Sequence, residues 1–165
     1  MTDKNPVLGG ILAVAAALCA AGASAQPPAP AAEAVKLGLI LDMSAPYAAL
    51  TGKGSATAAQ MAIDDFGGKV LGRPIELVVA DHHDNPNEAA AIARDWFDAR
   101  HLTAIMDVSG SSEALIVQAI AETRDRIVIL DAPGANRLAE EACTPSSVHY
   151  TNDTYAVAHT LGKAI

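Results

Sequence analysis

Residues 35–41 read VKLGLIL and residues 75–80 read IELVVA, with GSATAAQMAIDDF at residues 54–66 between them. The two outer segments are nearly continuous runs of apolar residues, which is typical of strands that are buried on both faces. The middle segment carries apolar residues at helical spacing: Ala58, Met61, Ala62 and Phe66. A strand, a helix and a second strand in this order predict a parallel pair joined by a right-handed crossover.

The same alternation continues to the end of the chain. We predict helices at 87–100, 112–124 and 154–165, and strands at 102–108, 127–130 and 148–150. Residues 69–74 contain glycine and proline and are interpreted as a connection. The pattern predicts an α/β fold: a doubly wound parallel sheet of about five strands with helices on both faces. In such sheets a ligand binds beyond the carboxyl ends of the strands, where the strand order reverses.

Composition excludes several classes of protein. The chain has 165 residues, of which 51% are hydrophobic and 18% are charged, and its formal net charge is −8. A disordered chain has low hydrophobicity and a high charge fraction, so disorder is excluded for the bulk of the sequence. Nucleic acids and anionic membrane surfaces require clustered Lys and Arg, which an acidic chain does not offer. The length allows one domain with a tail.

The N-terminus has the layout of a secretory signal peptide. Residues 1–6 are polar, residues 7–21 are almost wholly apolar, and ASA at 23–25 is a small-x-small cleavage pattern. We predict a signal peptide at 1–25 and a Pro/Ala tether at 26–34, with a membrane anchor as the alternative. Cys19 leaves with the signal, so the mature part retains only Cys143 and cannot form an internal disulfide.

Motifs that would indicate catalysis or cofactor binding fail in this sequence. TGKGS at 51–55 lacks the spacing of a phosphate-binding loop, and the residues around Ser109 do not form G-x-S-x-G. Asp81-His82-His83-Asp84 concentrates metal-ligand types, but adjacent residues in a turn point in different directions and no further cluster supports them. We therefore predict no catalytic residue, no metal and no cofactor, and hence a protein that is not an enzyme.

Small and polar residues follow the predicted strands, in the segments 42–47, 107–112, 131–135 and 151–155. The second of these segments leads directly into the helix at 112–124. The N-terminus of a helix presents free N–H groups and a positive dipole end, and it binds a carboxylate without a basic side chain. We also expect Ser111 or Ser112 to cap this helix.

Four motifs carry a resemblance to a known family. They are LDMSAPY at 41–47 with GKGS at 52–55, DDFGGKVLGRPI at 64–75, PGA at 133–135 and CTP at 143–145. In this order they resemble the solute-binding proteins of ABC importers, of the branched-chain amino-acid-binding type with the type 1 periplasmic-binding fold. The resemblance covers 35–165 and corresponds to the first of the family's two lobes. It implies that the chain is truncated and lacks the second lobe.

The resemblance also implies a function and a site. A periplasmic monomer would capture a small carboxylate, either an amino acid or an aromatic or organic acid, and deliver it to ABC permease subunits in the inner membrane. The ligand carboxylate would be held by two loops, with Tyr47 and Tyr155 stacking on the ligand. The loop residues implied are Ser109, Gly110 and Ser111, then Ala132, Gly134 and Ala135. An extracellular sensor domain and an exported enzyme on the same fold are the alternatives.

Overall fold

A computed structural model describes residues 33–165. Its strands are β1 (Val35–Leu41), β2 (Lys69–Val70), β3 (Arg73–Asp81), β4 (Ala104–Val108), β5 (Ile127–Leu130) and β6 (Ser147–His149). Its helices are α1 (Gly52–Asp65), α2 (Pro86–Asp98), α3 (Ser111–Glu122) and α4 (Thr154–Ala164), with a short 3-10 turn at Asn136–Leu138. The predicted signal peptide and most of the predicted tether lie outside the described residues.

The six strands form one sheet in the order β2-β3-β1-β4-β5-β6. β1 lies in the middle and pairs in parallel with both β3 and β4. β5 and β6 extend the sheet in parallel, and only β2 runs antiparallel to its neighbour. The doubly wound α/β fold predicted from the sequence is therefore confirmed. From β1 the chain first adds β3 on one side and then adds β4, β5 and β6 on the other, so the strand order reverses at β1.

The sheet has one strand more than the five that we predicted. Lys69–Val70, interpreted from the sequence as part of a connection, pairs with Arg73 and Pro74 to form a short hairpin. Leu71 and Gly72 at its tip have φ values of 51° and 77°. A two-residue turn with positive φ at both positions matches the twist of the flanking strands, which explains why so short a strand pairs here.

Helices cover both faces of the sheet. The core of the α2 and α3 side includes Trp96 and Phe97 from α2 and Val117 from α3, packed against Ile40 and Ile105 of the sheet. α1 lies over the opposite face, where its Ile63 is buried. No helix within residues 33–165 has both the length and the apolar composition needed to cross a membrane.

Gly38 in β1 permits a close approach between the sheet and Trp96 of α2. A Cβ at this position would lie 2.7 Å from Cδ2 of Leu102 and closer still to the ring of Trp96. The pairing of β1 with β4 also shifts register between Gly38 and Leu39. The missing side chain thus provides the space that the indole ring of Trp96 fills.

Candidate functional site

A cavity of ≈ 480 Å³ opens at the carboxyl ends of β1, β4 and β5, next to the reversal of the strand order. Three segments line it. The segment that leads from β1 into α1 contributes Tyr47, Leu50, Thr51 and Ser55, the end of β4 with the start of α3 contributes Asp107, Ser109, Gly110 and Ser111, and residues 131–134 follow β5. This is the position at which parallel α/β sheets bind ligands.

The N-terminus of α3 opens onto this cavity. Gly110 is the N-cap residue, and no side chain caps the helix. The expectation that Ser111 or Ser112 caps α3 is wrong, because the helix begins at Ser111, one residue earlier than predicted. The N-cap position therefore falls on Gly110, whose φ of 85° requires glycine. The first N–H groups of a helix have no intrahelical acceptor, so those of α3 are available to a ligand at the cavity.

The hydroxyl of Ser109 is engaged inside the protein. Its Oγ accepts a hydrogen bond from the N–H of Asp42 at 2.5 Å and lies 3.2 Å from Nε2 of His82. Ser109 and His82 are both completely buried. Ser109 therefore joins the ends of β1, β3 and β4, and what it can offer a ligand is its main chain rather than its hydroxyl.

Asp42 organises the loop that carries Tyr47 to the cavity. Its carboxylate accepts hydrogen bonds from three main-chain N–H groups, those of Ser44 at 3.2 Å, Ala45 at 2.7 Å and Tyr47 at 2.8 Å. Burial raises the pKa of Asp42, but these hydrogen bonds outweigh burial and hold the pKa below its usual value. The ionised carboxylate of Asp42 thus stabilises the start of this loop through three hydrogen bonds.

Asp81 links the same loop to the end of β3. Its carboxylate accepts hydrogen bonds from the N–H of Met43 at 3.1 Å and from the hydroxyl of Ser44 at 2.7 Å. Burial raises the pKa of Asp81, and the hydrogen bonds lower it by more, so that its pKa lies below the usual value. The loop is consequently anchored at both of its neighbouring strands.

Two carboxyl groups meet at the floor of the cavity. Asp107 is the penultimate residue of β4 and Asp131 immediately follows β5. Asp107 is only 3% exposed, whereas Asp131 is exposed. Burial, together with the adjacent carboxyl of Asp131, raises the pKa of Asp107 to about 8. Near neutral pH the carboxyl of Asp107 is therefore largely protonated.

The side chains of the histidine-rich turn after β3 point in different directions. His82 points inward to Ser109, while Nδ1 of His83 lies 3.1 Å from a carboxylate oxygen of Glu88 at the surface. Among residues 33–165 no group of three or more His, Cys, Asp or Glu side chains has the arrangement to hold a metal ion. Cys143 is exposed and has a free thiol.

The structure brings together six of the eight binding residues implied by the sequence: Tyr47, Ser109, Gly110, Ser111, Ala132 and Gly134. The other two lie elsewhere. Ala135 packs against the hydrophobic core, and Tyr155 is on α4, where it is 61% exposed and its ring stacks on that of His159 at 5.4 Å. Gly134 still connects the cavity to α4, because its carbonyl accepts a hydrogen bond from the N–H of Thr154 at 2.7 Å.

Sequence reasoning missed the pairing of Asp107 with Asp131 and the contribution of α1. Both acids lie in segments that follow predicted strands, 107–112 and 131–135, but they are 24 positions apart and neither was given a role in binding. The available signal was that each stands at the carboxyl end of a predicted strand, although the sequence did not show that these two strands are neighbours. Ser55 lies at the start of the helix predicted at 54–66, where no ligand contact was expected, and it lines the cavity.

Solved structures similar to this chain are bacterial binding proteins. A periplasmic binding protein from Burkholderia mallei is 43% identical, with a TM-score of 0.78, and the match covers 81% of this chain and 36% of that one. A branched-chain amino acid ABC transporter periplasmic ligand-binding protein from Burkholderia xenovorans LB400 is 36% identical, with a TM-score of 0.71 and coverage of 79% and 36%.

A third structure is an ABC transporter solute-binding protein from Rhodopseudomonas palustris BisB5, in complex with 3,4-dihydroxybenzoic acid. It is 25% identical, with a TM-score of 0.65, and the match covers 70% of this chain and 31% of that one. This chain therefore spans about a third of the length of these structures. No curated protein matches it significantly.

The family model described as "Periplasmic binding protein" matches residues 34–165. That range includes every strand and helix described above and all three segments that line the cavity. The relatives are substrate-binding proteins of ABC transporters. By its sequence and by its fold, this chain belongs to the periplasmic binding protein family.

Proposed function

We propose that this chain is the N-terminal lobe of a periplasmic solute-binding protein, which captures a small carboxylate for an ABC importer. The observation that carries the proposal is the cavity at the reversal of the strand order, onto which the uncapped N-terminus of α3 opens. The bound carboxylate lies against this terminus, and the main chain of residues 132–134 supplies further contacts.

The chemistry of the lining supports main-chain recognition of the anion. Among the described residues that line the cavity, none is Lys or Arg. The N-terminal residues of α3 therefore supply the positive potential, through free N–H groups and the helix dipole. The dipole alone contributes about 0.3–1 kcal/mol at an exposed site, and more where the ligand is partly buried.

Two related structures support a small carboxylate. One is a branched-chain amino acid ABC transporter periplasmic ligand-binding protein, and another is in complex with 3,4-dihydroxybenzoic acid. Both ligand types carry a carboxylate, whereas their remaining groups differ. The carboxylate is the group that these two ligand classes share, and it is the group that we place at α3.

The proposal includes export and a second lobe. Cleavage after Ala25 would release a mature protein that begins at Gln26, and N-terminal sequencing of protein from the periplasm would test this. A second lobe would supply the opposite wall of the cavity, and closure of the two lobes would bury the ligand before delivery to the permease. Residues 35–165 alone should then bind ligand weakly or not at all, which calorimetry would measure. The protein would work as a monomer.

The test of the carboxylate site uses two substitutions at one position. Ser111 is the first residue of α3, where proline is well tolerated, and ψ of 134° at the preceding Gly110 is compatible with a following proline. Ser111→Pro removes one N–H and the hydroxyl, whereas Ser111→Ala removes the hydroxyl alone. The difference between the two variants isolates the main-chain donor.

Leucine and 3,4-dihydroxybenzoate are the first ligands to test. Their affinities are measured by calorimetry on the complete protein rather than on a fragment. We expect Ser111→Pro to weaken the binding of the preferred probe by ~10-fold, about 1.4 kcal/mol, and Ser111→Ala to have a smaller effect. Lys53→Ala, on the exposed start of α1, is the control that should leave the affinity unchanged. Equal affinities for Ser111→Pro and wild type would refute the placement of the carboxylate at α3.

A further inference from the structure

The outer edge of β3 is open over most of its length. On one side β3 pairs with β1 from Ile75 to Asp81. On the other side its only strand partner among residues 33–165 is β2, which reaches Arg73 and Pro74 and no further. An open edge presents a row of unpaired main-chain N–H and C=O groups, which is a template for the addition of another strand.

The hydrogen bonds at the two ends of β3 show which main-chain groups face outward. The N–H of Ile75 donates to the carbonyl of Gly68, on the β2 side, at 2.9 Å. The N–H of His82 donates in the opposite direction, to the carbonyl of Leu41 at the end of β1, also at 2.9 Å. Successive residues of a strand alternate between its two edges, so the main-chain groups of the odd-numbered residues 75–81 face outward.

The free stretch of this edge runs from Leu77 to Asp81, because the N–H of Ile75 is already paired. Its side chains do not protect it. Residues 77–80 are apolar, Val79 is 37% exposed, and the carboxylate of Asp81 is engaged by the loop after β1. Edges that stay unpaired carry an outward charge, a proline or a bulge, and this stretch has no such charge and no proline.

We propose that two copies of this chain associate through this edge, with their β3 strands antiparallel about a two-fold axis at Val79. Val79 then lies opposite its counterpart, and Leu77 lies opposite Asp81 of the other copy. Every free outward position is used in both copies, which gives about six main-chain hydrogen bonds. A shift of register in one direction leaves Leu77 unpaired, and a shift in the other drives each strand against β2 of the other copy.

This two-fold pairing also brings opposite charges together. In an antiparallel pair, the end of β3 in one copy lies beside the β2 hairpin of the other. Asp84 follows the end of β3 and Lys69 begins β2, and both residues are exposed. Each Lys69 therefore faces Asp84 of the other copy, and the symmetry makes this contact twice. Complementary charges of this kind fix the register of an interface and speed association.

A second copy fits this edge better than the chain's own N-terminal tether does. Residues 26–34 include Pro27, Pro28 and Pro30. Proline lacks the N–H that an added strand must donate, so this segment is a poor strand for the edge. The free stretch of β3 has no proline and is matched in length to its own copy, because the two-fold axis passes through its central residue.

The association is separate from the proposed binding of a solute. None of the residues 77–81 lines the cavity at the carboxyl ends of β1, β4 and β5. Each copy therefore binds its solute by itself, as a monomer does. A single pair of short strands is at the low end of specific interface sizes, so the dimer is weak and reversible.

Sedimentation equilibrium on the complete protein tests this association. We expect the weight-average mass to rise from that of one chain towards twice that value between about 10 µM and about 1 mM. Val79→Pro removes an outward N–H, a change that an edge strand tolerates because its pairing with β1 is kept. It should weaken dimerisation by at least ~10-fold. Val79→Thr keeps the N–H and the β-branched shape, and this matched control should dimerise like wild type.

Two charge variants test the register, even where Val79→Pro fails to fold. Lys69→Glu alone and Asp84→Lys alone each place like charges together at both contacts, so each should weaken dimerisation. In a mixed dimer of the two variants, both contacts join opposite charges. An equimolar mixture should therefore dimerise at least ~5-fold more tightly than either variant alone.

The possible outcomes decide between the occupants of the edge. A wild-type protein that is still monomeric at about 1 mM overturns the inference, as does a folded Val79→Pro variant that dimerises like wild type. A mixture of the charge variants that is no tighter than its components overturns the two-fold pairing. If the complete protein stays monomeric but a chain that begins at Glu33 dimerises, the tether occupies the edge and the inference is wrong. Dimerisation without any binding of solute would leave this inference standing and overturn the proposed function.

Discussion

Replacing Asp107 by asparagine should stabilise the unliganded protein, although Asp107 lines the cavity. The pKa of this carboxyl rises from 3.8 to about 8 on folding, so at neutral pH folding must take up a proton. A carboxyl group whose pKa is higher in the folded than in the unfolded protein stabilises the folded state at low pH, and this stabilisation is lost as the pH rises towards the folded-state pKa. Stability should therefore fall between about pH 4 and pH 8, with a limiting slope of ~1.4 kcal/mol per pH unit.

The size of the effect follows from the same pKa. At about pH 7 the uptake of the proton costs at most ~4 kcal/mol, and an asparagine side chain would avoid that cost while keeping the shape of a protonated carboxyl. We expect urea denaturation to show Asp107→Asn more stable than wild type by about 2–4 kcal/mol at pH 7 and by less than about 1 kcal/mol at pH 4.

Asp95→Asn, an exposed position on α2, is the matched control, and its difference from wild type should not vary in this way with pH. The reasoning is refuted if Asp107→Asn is less stable than wild type at pH 7. It is equally refuted if the stability difference between the two proteins stays constant from pH 4 to pH 7.

Three further substitutions test the elements that position the cavity. Gly38→Ala should destabilise the protein by at least ~1–3 kcal/mol in chemical denaturation, because its Cβ would overlap Trp96 and Leu102, and unchanged stability would contradict the packing at β1. Asp42→Asn should lower Tm at pH 7. The decrease should become smaller as the pH falls below about 4, because a carboxylate with a lowered pKa contributes its full stabilisation only above the pKa that it has in the unfolded chain. Ser109→Ala should cost about 1–3 kcal/mol by leaving a buried main-chain N–H without an acceptor, and a neutral effect in denaturation would argue against that hydrogen bond.

The regular part of the fold was predictable because the strands are buried on both faces. Continuous apolar runs such as 35–41 and 75–80 mark such strands without any knowledge of their neighbours, and the structure extends the second run only to 73–81. The hairpin of β2 was not predictable in the same way. Its pairing depends on a turn with positive φ at Leu71, a residue that rarely adopts this conformation.

The position of the site was predictable, whereas the orientation of its side chains was not. The carboxyl ends of parallel strands determine where small and polar loops converge. The inward direction of the Ser109 hydroxyl depends on the main chain of Asp42, which is 67 positions away. The proximity of Asp107 to Asp131 likewise requires that β4 and β5 be neighbours, which no local pattern reveals.

The central place of the first strand affects how the chain folds. β1 comes first in the described chain, yet it pairs with β3 and β4, and the latter ends only at residue 108. Its partners must be brought together across long intervening segments, and contacts between distant parts of a chain slow folding. For a chain that crosses a membrane before it folds, as proposed here, β1 would meet its first partner only once residues 73–81 had followed it and its second only once residues 104–108 had followed. The centre of the sheet would then be completed late, which would keep the polypeptide unfolded for longer during export.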